Sequence, residues 1–280
     1  MPSKLTDQVV LITGASSGFG ANAARLFALE GCKVVLAARR VDRLHALADE
    51  IHSAGGHALV APVDVSKRAE VEVMVKTVLD VYGRIDILFN NAGFGRLDWL
   101  EKLDPDRDIE TQIDVNLLGL ILVTRAVLPH MLKNRSGHII HMSSVAGYIA
   151  APLYTVYAAT KYGVRAFTDA LRREVAPFGV RVSGIYPGPA ETEFSMHSGN
   201  SNVKKKLKTP PALRMSSAAV AYRTVRLAKH PRRAVVMPWY YRIAFFLDAV
   251  APGLVDWFLK ATFVRRYHTA EEDPTLLDNM

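Results

Sequence analysis

Tyr157 and Lys161 stand four residues apart in Tyr157-Ala158-Ala159-Thr160-Lys161, so on a helix a phenol and an ammonium share one face. A free tyrosine titrates near pH ~10 and is a poor base at neutrality. A neighbouring cation stabilises the phenolate and brings that value down. Ser144, thirteen residues before Tyr157, closes a strand-like run and can donate to an oxygen on which negative charge develops. Ser143 points to the opposite face of that run and is the poorer partner. Together Ser144, Tyr157 and Lys161 can give a proton to a carbonyl oxygen or take one from an alcohol. Standing alone, a Tyr-x-x-x-Lys pair reads as a surface pair. Here it is the only such pair in the chain, and it follows a Ser-Ser strand end.

A second set of residues could hold an anion. Thr13-Gly14-Ala15-Ser16-Ser17-Gly18-Phe19-Gly20 lies between the first apolar run and the first periodic segment. A strand, a glycine turn and a helix start aim backbone N–H groups and a helix N-terminus at a pyrophosphate. Gly14 would permit the tight turn, Gly18 the approach of the phosphates, and Gly20 close helix–strand packing. Ser16, Ser17 and Phe19 complete the candidate contact set. The spacing is Gly-x-x-x-Gly-x-Gly and departs from the Gly-x-Gly-x-x-Gly dinucleotide fingerprint, so the plain alternative is a turn. About twenty residues on, Ala37-Ala38-Arg39-Arg40 ends the second apolar run with arginine where a carboxylate would bind ribose hydroxyls. Arginine there offers a fork for a 2′-phosphate, which favours NADP(H) with NAD(H) as the alternative. The plain alternative is that Arg39 and Arg40 only solvate the strand end. The loop has no basic residue of its own, which weakens the preference.

These residues need a scaffold. Val9–Thr13, Lys33–Ala38, Ala58–Pro62, Ile85–Asn90, His138–Ser143, Arg181–Tyr186 and Ala234–Met237 are short apolar runs that read as buried strands. Amphipathic stretches separate them: Ala21–Glu30, Val41–Ala54, Lys67–Tyr82, Asp106–Lys133, Thr155–Phe178 and Ser216–Lys229. The alternation predicts an α/β, Rossmann-type, doubly wound fold, a seven-stranded parallel sheet flanked by helices. Residues 1–238 would be this catalytic domain. Residues 239–280 would be an apolar helical extension packed on the same domain, on a partner subunit or on a membrane surface.

The 280 residues fit one large core, half of them are apolar and 22% are charged, which excludes a disordered chain. The single cysteine, Cys32, allows no intrachain disulfide and fits a reducing compartment. The first apolar run is too short for a secretory signal, and Ile243–Leu259 is interrupted by Asp248, Pro252 and Asp256. A cytoplasmic protein is expected, with peripheral contact at a membrane surface as the alternative that the tail offers. A net charge of +8 suits nucleic acid, an anionic membrane or a phosphorylated cofactor. The clusters at Arg39-Arg40, Lys204–Lys208, Arg232-Arg233 and Arg265-Arg266 have no nucleic-acid motif beside them, so no nucleic-acid partner is expected. No ligand set for a metal is evident.

Taken in order, these motifs resemble the short-chain dehydrogenase/reductase superfamily, in its subclass with Thr-Gly-x-x-x-Gly-x-Gly and Tyr-x-x-x-Lys. The resemblance runs from about Thr6 to Pro238. It adds Asp64 and Val65, where the family binds adenine, and Asn91-Ala92-Gly93 within Asn90-Asn91-Ala92-Gly93. It adds Asn116 as a fourth catalytic residue, holding a water-linked proton relay to Lys161. Pro187, Gly188 and Thr192 fall in the segment that contacts the nicotinamide carboxamide. His141 stands where the family often carries Asn. The resemblance implies an NAD(P)-dependent oxidoreductase in which Tyr157 protonates the carbonyl oxygen, Ser144 positions it, and Lys161 acidifies Tyr157 and orients the ribose. It also implies a homodimer or homotetramer paired through the helices of Asn116 and Tyr157.

The substrate is less legible. Tyr148, Tyr154 and Phe194 are candidate pocket residues, with plain packing as the alternative, and Glu191–Ser217 reads as a lid or a surface loop. Trp239–His268 interleaves aromatics with Arg242, Lys260, Arg265 and Arg266, which suits a bilayer interface, a subunit interface or a flap over an apolar pocket. A steroid, retinoid-like or fatty acyl substrate is expected. Two alternative functions are a 3-oxoacyl-thioester reductase, which shares every motif, and a non-catalytic dinucleotide-sensing scaffold.

Overall fold

The computed structural model describes residues 5–191 and 214–264. Continuous apolar runs become the strands β1 (Val9–Thr13), β2 (Lys33–Ala38), β3 (His57–Pro62), β4 (Ile87–Asn90), β5 (Gly137–Met142), β6 (Val180–Pro187) and β9 (Ala234–Met237). They form one parallel sheet in the order β3-β2-β1-β4-β5-β6-β9. A separate two-residue pair joins β7 (Ala190–Glu191) to β8 (Met215–Ser216). The predicted fold class and the seven strands are therefore present.

Side chains alternate between the two faces of the sheet. Val10, Ile12, Val34, Leu36 and Phe89 pack under α1 (Gly18–Leu29), α2 (Val41–Ser53) and α6 (Ser217–Lys229). Val9, Leu11, Val35, Leu88 and Ile139 pack under α3 (Arg68–Tyr82), α4 (Pro105–Lys133) and α5 (Thr155–Val175). Burial on both faces is why the strands read as unbroken hydrophobic runs and not as alternating ones. The order reverses between β1 and β4, and the chain leaves their C-terminal ends in opposite directions. That opens the crevice in which sheets of this kind place their ligands.

Element ends moved by one to three residues. The fourth strand starts at Ile87, not Ile85, because Asp86 turns its carboxylate to accept the Val9 N–H at 2.8 Å. The helix through Asn116 holds two π-helical stretches, Pro105–Glu110 and Asp114–Gly119, that the sequence did not announce. Beyond β9 the tail folds into α7 (Tyr241–Val250) and α8 (Pro252–Leu259), the helical extension expected there, and neither helix has a buried residue.

Candidate active site

The two crevice loops are tied together at their bases. The Thr13 hydroxyl at the end of β1 accepts the Asn91 and Ala92 N–H groups at 3.0 and 3.1 Å. Asn91 returns its amide to the carbonyls of Thr13 and Gly14 at 3.1 and 3.3 Å. Gly14 adopts φ +67°, and a Cβ there would stand 2.8 Å from Ala92 Cα. A Cβ on Gly20 would stand 2.3 Å from the Gly14 carbonyl oxygen, so only glycine lets α1 begin this close to β1. Ser17 occupies the N-cap of α1 without using its side chain as a cap. The loop therefore offers uncapped first-turn amides, the donor arrangement that a phosphate requires. Gly14, Ser16, Ser17, Gly18 and Phe19 are all part-exposed along it, and Gly20 is buried beneath.

The end of β2 corrects the sequence reading in one respect. The loop has no cation in its own sequence, but the fold lays Arg40 across it. The Arg40 guanidinium donates to Ser16 Oγ at 3.1 Å and Ser17 Oγ at 2.6 Å. Arg39 extends to the other side, with its guanidinium 3.8 Å from Asp64 Oδ2. Burial favours the neutral acid at Asp64, but donation from the Ser66 hydroxyl and N–H and the nearby Arg39 and Lys67 outweigh it and hold the carboxyl below its ordinary range. Val65, next to it, is buried. Arg39, Arg40, Ser17 and Asp64 thus frame one rim of the crevice.

The other rim carries the proton chemistry. Ser144 follows the end of β5, and Tyr157 and Lys161 lie one turn apart on α5. Ser144 and Tyr157 are hydrogen-bonded through their side chains. Ser144 Oγ also accepts the Ala146 N–H at 3.1 Å. The Lys161 ammonium donates to the Met142 carbonyl at 3.2 Å and stands 5.6 Å from the centre of the Tyr157 ring. Ser143 turns away, as the alternation of the strand predicts, and donates to the Lys161 carbonyl at 3.0 Å.

Electrostatically the site departs from the expectation that Lys161 acidifies Tyr157. Burial dominates: it raises the phenol well above its usual value, and the Ser144 hydrogen bond only partly opposes it. Lys161 is pushed down to about 8, also by burial. Each group is held toward its uncharged form. Burial therefore favours the protonated, proton-donating form of Tyr157.

Asn116 is fully buried inside the second π-helical stretch. Its side chain clamps the backbone of Phe94, accepting the N–H at 2.9 Å and donating to the carbonyl at 2.7 Å. The side-chain amide of Asn116 is thus already engaged. A Cβ on Gly93 would stand 3.0 Å from Asn116 Oδ1 and 3.5 Å from Lys161 Nζ, which places Asn116, Gly93 and Lys161 around one point. Pro187 ends β6 alongside, and the Gly188 N–H donates to the Met237 carbonyl at 2.6 Å. Thr192, Phe194 and Lys204–Lys208 lie outside the described residues, as does most of the proposed lid.

Of the candidate substrate residues, Tyr154 meets Tyr157 edge-on, with ring centroids 6.2 Å apart. Leu97 and Ala146 complete a small apolar cluster with Tyr154 and Tyr157. Neither was found from the sequence, because only the fold brings the loop after β4 to the turn after β5. Tyr148, by contrast, is not a companion of Tyr157. It is stacked on Phe245 of α7 at 4.1 Å and capped by Arg165 at 3.7 Å.

The family model for short chain dehydrogenases matches residues 8–202. A dehydrogenase/reductase SDR family protein 7-like of Drosophila melanogaster is 34% identical over 271 residues, covering 94% of this chain and 82% of that protein. Among solved structures, a short chain dehydrogenase/reductase from Burkholderia phymatum in complex with NAD has a TM-score of 0.80 at 25% identity, over 90% of this chain and 96% of its own. The closed form of serine dehydrogenase complexed with NADP+ has a TM-score of 0.75 at 35% identity, over 82% and 94%. Motif order, sheet topology, crevice and similarity agree: the chain belongs to the short-chain dehydrogenase/reductase family and is an NAD(P)-dependent oxidoreductase.

Proposed function

We propose that the protein interconverts a secondary alcohol and a ketone on an apolar substrate, using NADP(H) in preference to NAD(H). The observation that carries this reading is the arrangement of Tyr157, hydrogen-bonded to Ser144 and with its ring 5.6 Å from the Lys161 amine. A nicotinamide held in the crevice would supply or accept the hydride. In the reducing direction Tyr157 gives its proton to the substrate oxygen, and Ser144 donates to the same oxygen as charge builds on it. Lys161 would hold the ribose hydroxyls, and its amine near Gly93 supports that role. In the oxidising direction Tyr157 must first lose its proton, and added positive charge in the crevice would bring the phenol down.

Gly14, Ser16, Ser17, Gly18, Phe19 and Gly20 would hold the pyrophosphate side of the cofactor. Asp64 and Val65 would hold the adenine, Asn91, Ala92 and Gly93 the ribose side, and Pro187, Gly188 and Thr192 the carboxamide. Arg39 and Arg40, with Ser17 beneath, support the preference for a 2′-phosphate, because two guanidinium groups end β2 where no carboxylate stands. The apolar wall of Leu97, Ala146 and Tyr154 supports a lipophilic substrate. Residues 1–238 would constitute the catalytic unit. Exposed Ile113 and Leu118 on α4 and Tyr162 on α5 support pairing of copies into a homodimer or homotetramer through those helices.

The test is spectrophotometric. NADPH and NADH oxidation are followed against small ketones, steroidal ketones, long-chain ketones and 3-oxoacyl thioesters. The reading expects kcat/KM at least about tenfold higher with NADPH, a ratio of ~1.4 kcal/mol, and highest on lipophilic ketones. Equal use of both cofactors removes the preference. Turnover confined to acyl thioesters replaces the substrate class.

A further inference from the structure

The C-terminal hairpin presents an apolar face that nothing in the described residues covers. Trp239, Ile243, Phe246 and Val250 follow at steps of four, three and four, which sets them along one side of α7. All four are exposed, Phe246 by 64% and Trp239 by 70%. The opposite side of α7 is already used against the body. Phe245 stacks on Tyr148, and Tyr241 occupies the space that a Cβ on Gly188 would need, at 2.9 Å. On α8, Trp257 and Phe258 are 66% and 58% exposed. A helix apolar on both sides implies a partner for each, and the described residues account for only one.

The rest of the chain is a poor candidate for the second partner. Residues 192–213 and 265–280 hold no more than two consecutive apolar residues, and one is lysine-rich while the other is largely charged and polar. A second copy pairing by the same face would draw the exposed Arg242 and Lys260 cations of both copies into one apolar contact. An anionic lipid surface meets the face without that conflict. Among the described residues of this tail the charges are Arg242 and Lys260 against Asp248 and Asp256. Asp248 is only part-exposed and acts on Tyr162 of the body, and Asp256 is the exposed acid of α8. Cations beside exposed Trp and Phe are the pattern of a helix seated at the headgroup level. Two of the chain's three tryptophans, Trp239 and Trp257, are exposed in this tail, and tryptophan concentrates at bilayer interfaces.

The lengths settle how the hairpin would sit. Helices of 10 and 8 residues, broken at Ala251-Pro252 and the second continued by the 5 residues Lys260–Val264, reach about 15 and 20 Å at ~1.5 Å per residue. Neither crosses a hydrocarbon core of about 30 Å, so the hairpin lies in the plane of the surface. We propose that α7 and α8 form a foot that binds the protein to an anionic membrane surface, with the active-site mouth close beside it. The closeness is structural: Tyr148, against Phe245, is four residues from Ser144, and Gly188, against Tyr241, follows the end of β6. The corollary that a lipophilic substrate enters from the bilayer rests on the reading under Proposed function. Surface binding itself does not.

Flotation of the full chain with vesicles tests it, without cofactor or substrate. One vesicle is phosphatidylcholine alone, and the other contains about 30% phosphatidylserine. At low salt at least tenfold more protein should float with the anionic vesicles, and raising salt should reduce that excess as the charges are screened. The double variant Phe246→Ser/Trp257→Ser should lose at least tenfold in binding. Its kcat on a short soluble ketone and its elution volume in size exclusion should match the parent. Arg242→Glu/Lys260→Glu, which leaves the aromatics in place, should abolish the preference for anionic vesicles. The proposal is overturned if the parent protein stays unbound to both vesicles. It is equally overturned if the serine variant binds as before, or changes elution volume so that the face belongs to a second copy. An inactive protein that floats normally would sink the enzymatic reading and leave the foot standing.

Discussion

The crevice at the ends of β4 and β5 and the hairpin α7–α8 break the usual partition of residues in opposite directions. In the crevice, polar groups are buried: Asn116, Ser144 and Lys161 keep 0, 8 and 4% of their surface. On the hairpin, large apolar groups are exposed, Trp239 and Trp257 by 70 and 66%. Scattered exposed hydrophobics are ordinary, and buried polar groups or contiguous apolar patches are not. The two regions differ in how far the chain itself answers for them. Asn116 is satisfied by Phe94 and Thr160, and Lys161 has the Met142 carbonyl. The crevice is therefore built in advance by its own side chains, and its ligand adds to a finished geometry. The hairpin is finished on one side only.

If that contrast is right, the largest effect on function comes from the smallest change in the crevice. Tyr157→Phe removes one oxygen and leaves the ring in its cluster with Leu97, Ala146 and Tyr154. It should lower kcat by about 10³-fold, within the range for loss of a positioned proton donor, while dinucleotide affinity moves less than about twofold. Steady-state kinetics and cofactor titration check both halves. A variant that turns over normally would show that another group carries the proton. Removing the larger side chains of Phe246 and Trp257 should leave the same kcat untouched, although far more apolar surface is lost.

The next effect sharpens what preformed means for Lys161. Its pKa is about 8 in the folded chain, from an ordinary 10.5, because the amine is buried. Between those values the unfolded chain binds a proton that the folded chain has released. Stability therefore rises with pH across that window, and below about pH 8 the cost of burying the ammonium falls in full. Lys161→Met removes this contribution. Relative to the variant, the parent should gain up to about 3 kcal/mol between pH 8 and 10.5. Denaturant melts at pH 7.5, 9 and 10.5 measure the difference. Parallel pH curves for the two proteins would mean that the amine is solvated and the crevice less closed than described.

The sequence carried the sheet well because strands buried on both faces must be apolar throughout, and no tertiary information is needed to see that in Val9–Thr13 or Lys33–Ala38. The Tyr-x-x-x-Lys spacing was equally legible, since four residues is a property of one helix. What escaped depends on distance through space. Arg40 follows β2, and nothing local says that it will cross to Ser16 and Ser17. Leu97 joins Tyr157 only because loops from two strands converge. The proximity of Lys161 to Tyr157 can be read from spacing, whereas burial, the largest influence on the phenol, cannot. For Tyr148 the sequence leaves pocket and plain packing open, and the choice is made by a residue 97 positions later, Phe245, on which its ring stacks.

A smaller and more local effect concerns His141, on β5 between the two helices of the site. It is fully buried, with Nε2 3.2 Å from Thr124 Oγ1 on α4 and Nδ1 2.9 Å from Thr168 Oγ1 on α5. Both threonines also reach a carbonyl four residues back in their own helix, at 2.7 and 2.6 Å. A neutral ring brings one proton, so the four bonds share three protons and one threonine must turn toward the ring. Burial holds the imidazole near a pKa of about 3, and the same is true of His138. As pH falls below the ordinary 6.5, the unfolded chain takes up protons that the folded chain refuses, so stability is lost from there down to about pH 3. Each ring contributes up to about 1.4 kcal/mol per pH unit. His141→Asn should therefore flatten the acid limb by about that slope, read from denaturant melts between pH 4.5 and 6, with His138→Asn doing the same independently. An unchanged slope would mean that the ring is protonated inside the fold, and that the burial contrast fails at this point.

The smallest expected effect is at the other pole of the comparison. Gly253 opens α8, and a Cβ there meets nothing within 4 Å. At Gly20 the same added atom would stand 2.3 Å from a backbone oxygen. Gly253→Ala adds one methyl to an open surface and trades a flexible residue for a better helix former, which is worth at most about 1 kcal/mol and less in the first turn. Global stability should move by no more than about 0.5 kcal/mol, because α8 contributes no buried residue to the core whose unfolding is measured. Helix content by circular dichroism should be level or slightly higher. A loss of more than about 1 kcal/mol would show that something packs on the start of α8. The hairpin would then be as closed as the crevice, and its exposed tryptophans would need an explanation inside the protein and not at a surface beyond it.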